Sequence, residues 1–429
     1  MDLVVRNVDV LDGTGSPAFR ADVAVAGDRI AAIRPPGSAL SGARVLDGSG
    51  LTLSPGFIDM HAHSDLAVVE DVDHLAKVSQ GVTLEVLGQD GLSYAPVDEV
   101  TLPQLRNRLA GWNGDAPDVP WRTVGDYLDV LDRGMAVNAA YLVPHGNVRM
   151  LVMGWTSGPP SARELADMCA LVADGMAQGA LGLSMGLTYT PGMYAGTEEL
   201  VALCTTVAAH GGFFAPHHRS YGAGALDAYR EMLDVARRSG AAVHFAHATM
   251  NFDVNRGKAG ELLALIDAAT ADGVDVTLDS YPYLPGSTTL AALLPSWVSE
   301  GGPDALMARL HDPVARARIT YELDVEGSDG CHGVPCEWGG VRISGVRRNV
   351  NSALVGRDIA SIAADAGLAP AEVYLDLLIA DDAGTTCLMD VGHEDNVRTI
   401  MRHSTHTGGS DGLLVGARPH PRAWGTFPR

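Results

Sequence analysis

Phe213-Phe214-Ala215-Pro216-His217 and, further along the chain, Ala242-Val243-His244-Phe245-Ala246-His247 decide the fold of this protein. Each begins with a short apolar run of strand character, preceded by the glycines Gly211-Gly212 or Gly240. Between them Ala225 to Arg238 reads as a helix, so the stretch as a whole is strand, helix, strand. That unit builds parallel sheet, because two parallel strands need a crossover between them. A histidine, His217 or His247, follows each apolar run.

The same rhythm extends outward in both directions. Val82 to Leu87 and Ala139 to Val143 read as strands, Ser161 to Gln178 as a helix, and Ala180 to Ser184 as the strand that follows it. The helix Thr197 to His210 precedes Phe213, and the helix Glu261 to Ala271 precedes the strand Val274 to Leu278. Enough units occur to close a barrel, so the expected fold class is α/β, a (β/α)8 TIM-like barrel over residues 55–415. Before it, Leu3 to Leu11, Ala21 to Val25 and Arg29 to Ile33 read as strands joined by turns at Asp12-Gly13 and Gly27-Asp28. They predict a small β domain, a β-sandwich, to which residues 1–54 contribute. From Leu284 to Arg347 proline, glycine and charge interrupt the pattern, and a segment of that length predicts a lid-like insertion. Pro370 to Ile379 then reads as a helix.

The 429 residues are 46% hydrophobic, enough for a large core, and 30 basic against 52 acidic residues give a net charge of -22. Such a charge repels nucleic acid and anionic membrane surfaces, which favours a soluble enzyme with a small-molecule substrate. Met1-Asp2-Leu3-Val4-Val5-Arg6 lacks a signal pattern, and no apolar run is long enough to span a bilayer. The cysteines Cys169, Cys204, Cys331, Cys336 and Cys387 are odd in number and lack tight pairs, so a reducing cytoplasm is expected.

His61-Ala62-His63 closes the apolar run Ser54 to Met60. In an extended strand the two imidazoles point the same way, which makes half of a metal site. Further polar residues follow directly after predicted strands, where parallel barrels assemble their sites: Asp90, His145, His217-His218-Arg219, His247 and Asp411. Their common placement predicts a divalent metal centre, zinc in the first instance with one or two ions. Its ligands would be His61, His63, His217 and His247, with Asp90 able to bridge. A metal-activated water attacks, and Asp411 takes its proton and passes it to a leaving nitrogen, which amounts to hydrolysis of an amide or related C–N bond. Glu85 is an alternative carboxylate ligand. His145 fits either a hydrogen bond to the reacting carbonyl or a tight turn, Asp279 either the site or the Tyr281-Pro282-Tyr283 turn, and His218 and His244 read as packing residues.

The chain resembles the amidohydrolases, and most closely their D-aminoacylase (N-acyl-D-amino-acid deacylase) branch. The matching segments are Pro55 to His63, Gln80-Gly81-Val82-Thr83, Gly182 to Tyr189, Asp279 to Tyr283, Gly409-Ser410-Asp411-Gly412 and His420 to Arg429. The resemblance implies that His217 and His247 hold the principal metal, that His61 and His63 belong to a second and looser position, and that Asp411 is the catalytic aspartate. It also implies that Tyr189, Tyr281 and Tyr283 surround an N-acylated D-amino acid and that 284–347 is the family's inserted lid. Three departures stand out. Asp90 replaces a metal-ligating cysteine, and Thr249 replaces a lysine that grips the substrate carboxylate, a task for which Arg219 is the candidate substitute. The chain stops at Arg429, so 416–429 is expected to start a return to the small β domain whose C-terminal part is truncated, with exposed sheet edges and lowered stability. The rival expectations are a cyclic amidase of hydantoinase or dihydroorotase type and a catalytically silent barrel.

Overall fold

A computed structural model describes residues 1–114, 119–415 and 418–429. The chain divides into two compact units, Met1–Phe57 and Ile58–Arg429. In the first, β1 (Leu3–Val10) pairs antiparallel with β2 (Phe19–Ala26), which pairs antiparallel with β3 (Arg29–Arg34). On its other edge β1 runs parallel to β4 (Arg44–Asp47) and then β5 (Thr52–Leu53). Val8, Val10, Ala21 and Val23 form the buried face of this five-stranded sheet. The described strands of this unit thus belong to this one sheet.

The barrel strands are β6 (Phe57–Asp59), β7 (Val82–Leu87), β8 (Asn138–Pro144), β9 (Gly182–Gly186), β10 (Phe213–His217), β11 (Ala242–Phe245) and β12 (Val276–Ser280), with a last strand at His406–Gly408. They lie side by side in sequence order. The pairing is parallel, as in Phe213 opposite Gly182 through His217 opposite Gly186. The two edges of the sheet meet, because Met60 N donates to Gly408 O at 3.0 Å and Ala62 bridges Gly412 in parallel. The sheet is therefore close to a closed eight-stranded barrel.

Helices cover its outside for reasons visible in the sequence. Ala162–Ala177 starts with a capping box, Ser161 accepting from Glu164 N while the Glu164 carboxylate accepts from Ser161 N at 2.7 Å. Ala225–Ser239 buries Ala225, Ala228, Tyr229, Met232, Leu233 and Ala236, a stripe at three- and four-residue spacing, and ends at Gly240 with φ 74°.

After β12 the chain leaves the barrel and comes back with the helix Glu394–Met401, which packs on β12 and on the helix Ala259–Ala271, before the last strand. Its excursion forms β13 (Pro285–Thr289), β14 (Val341–Gly345) and β15 (Thr386–Asp390), an antiparallel sheet with β15 in the centre, and the final barrel strand is then β16 (His406–Gly408). Helices Pro303–His311, Pro313–Tyr321, Ile359–Ala366 and Pro370–Ala380 accompany that sheet. Leu290, Leu310, Ile319, Ile343, Ile359 and Leu378 belong to a core of its own. The insertion is therefore longer and more regular than the irregular stretch expected over 284–347. Pro303, Pro313 and Pro370 occupy first-turn helix positions, where proline promotes a start rather than a break. Of the expected segment 416–429, residues 416–417 lie outside the described residues. The remainder belongs to the barrel unit, where Gln80 Nε2 donates to Ala423 O at 2.9 Å. No helix among the described residues is long and apolar enough to cross a membrane.

Candidate metal centre

The metal-ligand candidates all stand at the same end of the barrel strands. His61 and His63 follow β6, Asp90 follows β7, His217 ends β10, His247 follows β11 and Asp411 follows β16. The Asp90 carboxylate lies at their centre. Its Oδ1 is 3.5 Å from both His61 Nε2 and His247 Nε2, and its Oδ2 is 3.6 Å from His63 Nε2 and 3.4 Å from His217 Nδ1. Two overlapping groups result, His61, His63, Asp90 and Asp411 on one side and Asp90, His217 and His247 on the other, each tight enough for one ion.

Local backbone geometry makes this possible. Gly88 and Gly91 flank Asp90 with φ of 75° and 70°, and a Cβ there would stand 2.3 Å from Leu142 O and 2.5 Å from Gly186 N. Only glycine lets the turn press against the neighbouring strands and drive Asp90 inward. Asp90, His247 and Asp411 themselves adopt left-handed conformations, with φ of 55°, 32° and 48°. Strain of this kind persists where the surroundings over-determine the backbone. At Asp411 the clamp is explicit. Ser410 N donates to Asp59 Oδ1 at 2.7 Å, Asp411 N to His61 O at 2.8 Å and Gly412 N to Ser410 Oγ at 3.1 Å.

The donor set fits a divalent ion. Asp90 Oδ1 and His217 Nδ1 are buried without any hydrogen-bond partner, and His61 Nε2 faces His63 Nε2 at 3.2 Å. Orphaned buried acceptors and opposed imidazole nitrogens are what a shared cation satisfies. The electrostatics point the same way. Burial pushes the His63 imidazolium down, but Asp411 and Asp90 outweigh it and hold His63 at about 10. Burial likewise disfavours charge on Asp90, yet His217 and His61 hold its carboxyl well below the usual range. The centre thus draws positive charge to itself.

Behind the ligands stands a layer of supports. His247 Nδ1 pairs with the Tyr221 hydroxyl at 3.0 Å, and His217 Nε2 with the Thr188 hydroxyl at 2.6 Å. Asp279 accepts from His247 N at 2.9 Å, pairs with His244 Nε2 at 2.9 Å and lies 3.7 Å from His61 Nδ1. Such partners fix the orientation of ligating imidazoles. Asp279 thus serves the site from behind, and His244, expected to pack, belongs with it. Glu85 faces the other way, toward Lys77 at 3.0 Å and His74 at 2.6 Å, so the structure does not bring it to the metal ligands.

A cavity of about 90 Å³ opens over the centre, with Tyr189, Tyr281, Trp112, Phe252, His332 and Arg422 in its walls. The Tyr189 hydroxyl pairs with the Thr288 hydroxyl at 3.0 Å, and the Tyr281 ring lies 4.6 Å beneath the Arg422 guanidinium. Three expected substrate residues stand elsewhere. Arg219 is spent on Glu231 at 2.8 Å and on the carbonyls of Met193 and Ala195. His145 is fully buried against Glu199 at 2.8 Å, which also holds Arg149. Tyr283 donates to Gly425 O at 3.2 Å and stacks on Arg429.

The cation that does reach the site is Arg422, buried, with Nη1 2.7 Å from Asp411 Oδ2 and Nη2 donating to Ser287 O at 3.2 Å. Its segment, His420 to Arg429, carries part of the family resemblance, but nothing in its local pattern signals a role in the cavity. Burial favours the neutral form of Asp411, and Arg422 and His63 outweigh it, holding the carboxyl at about 2.

The model of the amidohydrolase family matches residues 44–429. A D-aminoacylase of Alcaligenes xylosoxydans xylosoxydans is 35% identical over the whole chain, which covers 78% of that protein. The N-acyl-D-glutamate deacylase of Bordetella bronchiseptica, solved with zinc and a phosphonate mimic of the tetrahedral intermediate, superposes with a TM-score of 0.82. It shares 31% identity, over 100% of this chain and 79% of that one. A D-aminoacylase studied for its binuclear metal centre, activated by one metal and attenuated by a second, superposes with a TM-score of 0.80 at 33% identity, over 100% and 79% of the two chains.

Proposed function

The chain belongs to the amidohydrolase family, and from that membership we propose that it is a metal-dependent deacylase of N-acyl-D-amino acids. The observation that carries the reading is the Asp90 carboxylate set among four histidine nitrogens at 3.4–3.6 Å, with Asp411 on its edge, 3.2 Å from His63. A zinc ion held by His217, His247 and Asp90, with a second place at His61 and His63, would polarise the amide carbonyl and acidify the attacking water.

Asp411, ionised at neutral pH, is placed to take the proton of that water and return it to the departing nitrogen. Arg422 supports recognition of the substrate carboxylate, since it is the one Arg or Lys side chain among the described residues lining the cavity. Its stacking on Tyr281 holds the guanidinium plane in place for a two-point contact. Tyr189 and Trp112 keep water from the reacting bond, both being buried.

A cyclic amidase that bridges two ions through a modified lysine finds no such residue here. Lys77 is buried, but its ammonium is committed to Asp59 at 2.6 Å, Ser410 at 2.9 Å and Glu85 at 3.0 Å. The free cysteines fit a reducing, cytoplasmic setting.

The test is a hydrolysis screen of zinc-reconstituted protein over N-acetyl-D- and N-acetyl-L-amino acids and over hydantoins. Release of the free D-amino acid, abolished by a chelator and restored by zinc, is the expected result. Turnover confined to L-substrates or to cyclic amides would overturn the proposal.

A further inference from the structure

One buried charge that takes no part in the cavity wall is nonetheless tied to the loop that carries Asp411. Lys77, in the helix Leu75–Val78, is fully buried. Its Nζ donates to Asp59 Oδ2 at 2.6 Å and to Ser410 Oγ at 2.9 Å, and it lies 3.0 Å from Glu85 Oε1. An ammonium has three N–H groups, and these three oxygens take them all. Burial disfavours its charge, but Asp59 and Glu85 outweigh that and keep Lys77 protonated. The two carboxylates suffice for charge balance. The third bond, to a hydroxyl 333 positions along the chain, needs another reason.

The Ser410 hydroxyl is the junction. It accepts from Lys77 Nζ and from Gly412 N at 3.1 Å, and it donates to His61 O at 3.3 Å, so its proton and both lone pairs are in use. Asp59, the other partner of Lys77, accepts through Oδ1 from Ser410 N at 2.7 Å and from His61 N at 3.3 Å. Lys77 and Asp59 together therefore grip Ser410 by its side chain and by its main chain. Asp411 follows directly, with φ 48°, a conformation that a non-glycine residue keeps only where its neighbours impose it. From that backbone its carboxylate stands 3.2 Å from His63 Nε2 and 2.7 Å from Arg422 Nη1. Without the Lys77 bond the Ser410 side chain is free to turn, and the strained residue after it has a way to relax.

We propose that Lys77 is a positioning residue for the reaction: acting through the Ser410 hydroxyl, it keeps Asp411 in the left-handed conformation from which the carboxylate faces the metal centre. The inference rests on the deacylase reading and adds to it a residue outside the cavity. Lys77 reaches Asp411 only through Ser410, so its loss affects the rate of proton transfer rather than substrate binding. A displacement of about 1 Å at a reacting group costs on the order of a hundredfold in rate. The competing account makes Lys77 a counter-charge for Asp59 and Glu85 alone, in which case activity falls only as the fold does.

The experiment compares zinc-loaded wild type, Ser410→Ala, Lys77→Met, Lys77→Met/Ser410→Ala and Lys77→Met/Glu85→Gln on N-acetyl-D-amino acids, with thermal midpoint and zinc content measured beside kcat and KM. Ser410→Ala and Lys77→Met should each lower kcat by about tenfold to a hundredfold, with KM and zinc content unchanged. Removing both should cost no more than removing one, because the two changes break the same link. Lys77→Met strands two buried carboxylates and should lower the thermal midpoint. Adding Glu85→Gln removes one of them and should restore much of the midpoint while kcat stays low. Crystal structures of Ser410→Ala and of Lys77→Met/Glu85→Gln should show Asp411 turned away from His63. A kcat that returns with the midpoint, losses that multiply in Lys77→Met/Ser410→Ala, or an unmoved Asp411 in both crystal structures overturns the proposal. Ser410→Ala decides the matter where the lysine variants fail to fold, since wild-type kcat in it has the same consequence. Absence of hydrolysis by wild type overturns the deacylase reading, and the place of Asp411 in the crystal structures then still tests its link to Lys77.

Discussion

Arg422 holds Asp411: its Nη1 lies 2.7 Å from Asp411 Oδ2, while the other carboxylate oxygen faces His63 Nε2 at 3.2 Å. One oxygen of the aspartate is thus anchored and the other is left for the metal centre. The two residues stand eleven positions apart in the sequence, so the group proposed to move the proton and the group proposed to read the carboxylate come from one piece of chain.

Replacing Arg422 therefore has two effects. Arg422→Met should raise KM for N-acetyl-D-amino acids and also lower kcat, because Asp411 loses its anchor and its counter-charge together. Arg422→Lys keeps the charge but not the planar fork, and should recover kcat more than KM. Steady-state kinetics of the two variants at matched zinc content checks this. Equal kcat and KM in all three proteins would place the carboxylate contact elsewhere.

Asp411→Asn keeps the shape of the side chain and removes its basicity. General acid–base catalysis accounts for a factor of about 10² to 10⁴, and kcat should fall by that much while metal content stays at the wild-type level. Zinc analysis beside single-turnover rates separates loss of proton transfer from loss of the ion.

Much of this arrangement is legible from sequence, and the unread part has identifiable causes. β7 and β11 stand at the expected Val82–Leu87 and Ala242–Phe245, because mostly apolar runs of strand length follow glycine there and the helices between them carry a clear stripe. The expected ligands follow those strands, so a one-dimensional pattern places them at a common end. Arg219, His145 and Arg422 are different. Arg219 directly follows a histidine pair yet turns to Glu231, and Arg422 reaches the cavity from a segment far along the chain. A long flexible side chain reveals its direction only through its partners, and those are distant in sequence. The regular structure of the insertion is hidden from the sequence for a local reason, since prolines that start helices and prolines that break them look alike without the structure around them.

The buried cluster behind His61 gives a pH prediction. Burial raises the Glu85 carboxyl, but Lys77 and His74 outweigh it and hold it at about 2, against 4.5 in an unfolded chain. A carboxyl lowered on folding stabilises the protein at pH above its unfolded value. That contribution is lost as the pH falls from about 4.5 through about 2, and it amounts to roughly 3 kcal/mol. Glu85→Gln has no such titration. Urea unfolding of both proteins at pH 5 and near pH 2.5 should show wild type losing more stability than the variant by about 2 to 3 kcal/mol. Parallel losses in the two would remove Glu85 from the acid sensitivity.

Asp90 belongs to both histidine groups at once, so it is the residue at which a change of ion preference is expected. A carboxylate is a harder ligand than a thiolate, and hard oxygen donors discriminate less in favour of zinc over manganese or cobalt. Asp90→Cys should therefore raise the zinc-to-manganese ratio bound from an equimolar mixture, by about tenfold or more. Asp90→Ala removes the shared ligand and should release metal from both positions, leaving the histidines two by two. Elemental analysis after dialysis against the mixed ions reads both effects, and the thermal midpoint with and without zinc should follow metal content. Zinc retained at full stoichiometry in Asp90→Ala would mean that the histidines alone hold the ion and that Asp90 merely neutralises them. The positive φ at Asp90 argues against that outcome, since a backbone strained to bring one carboxylate among four imidazoles is poorly explained by charge balance alone.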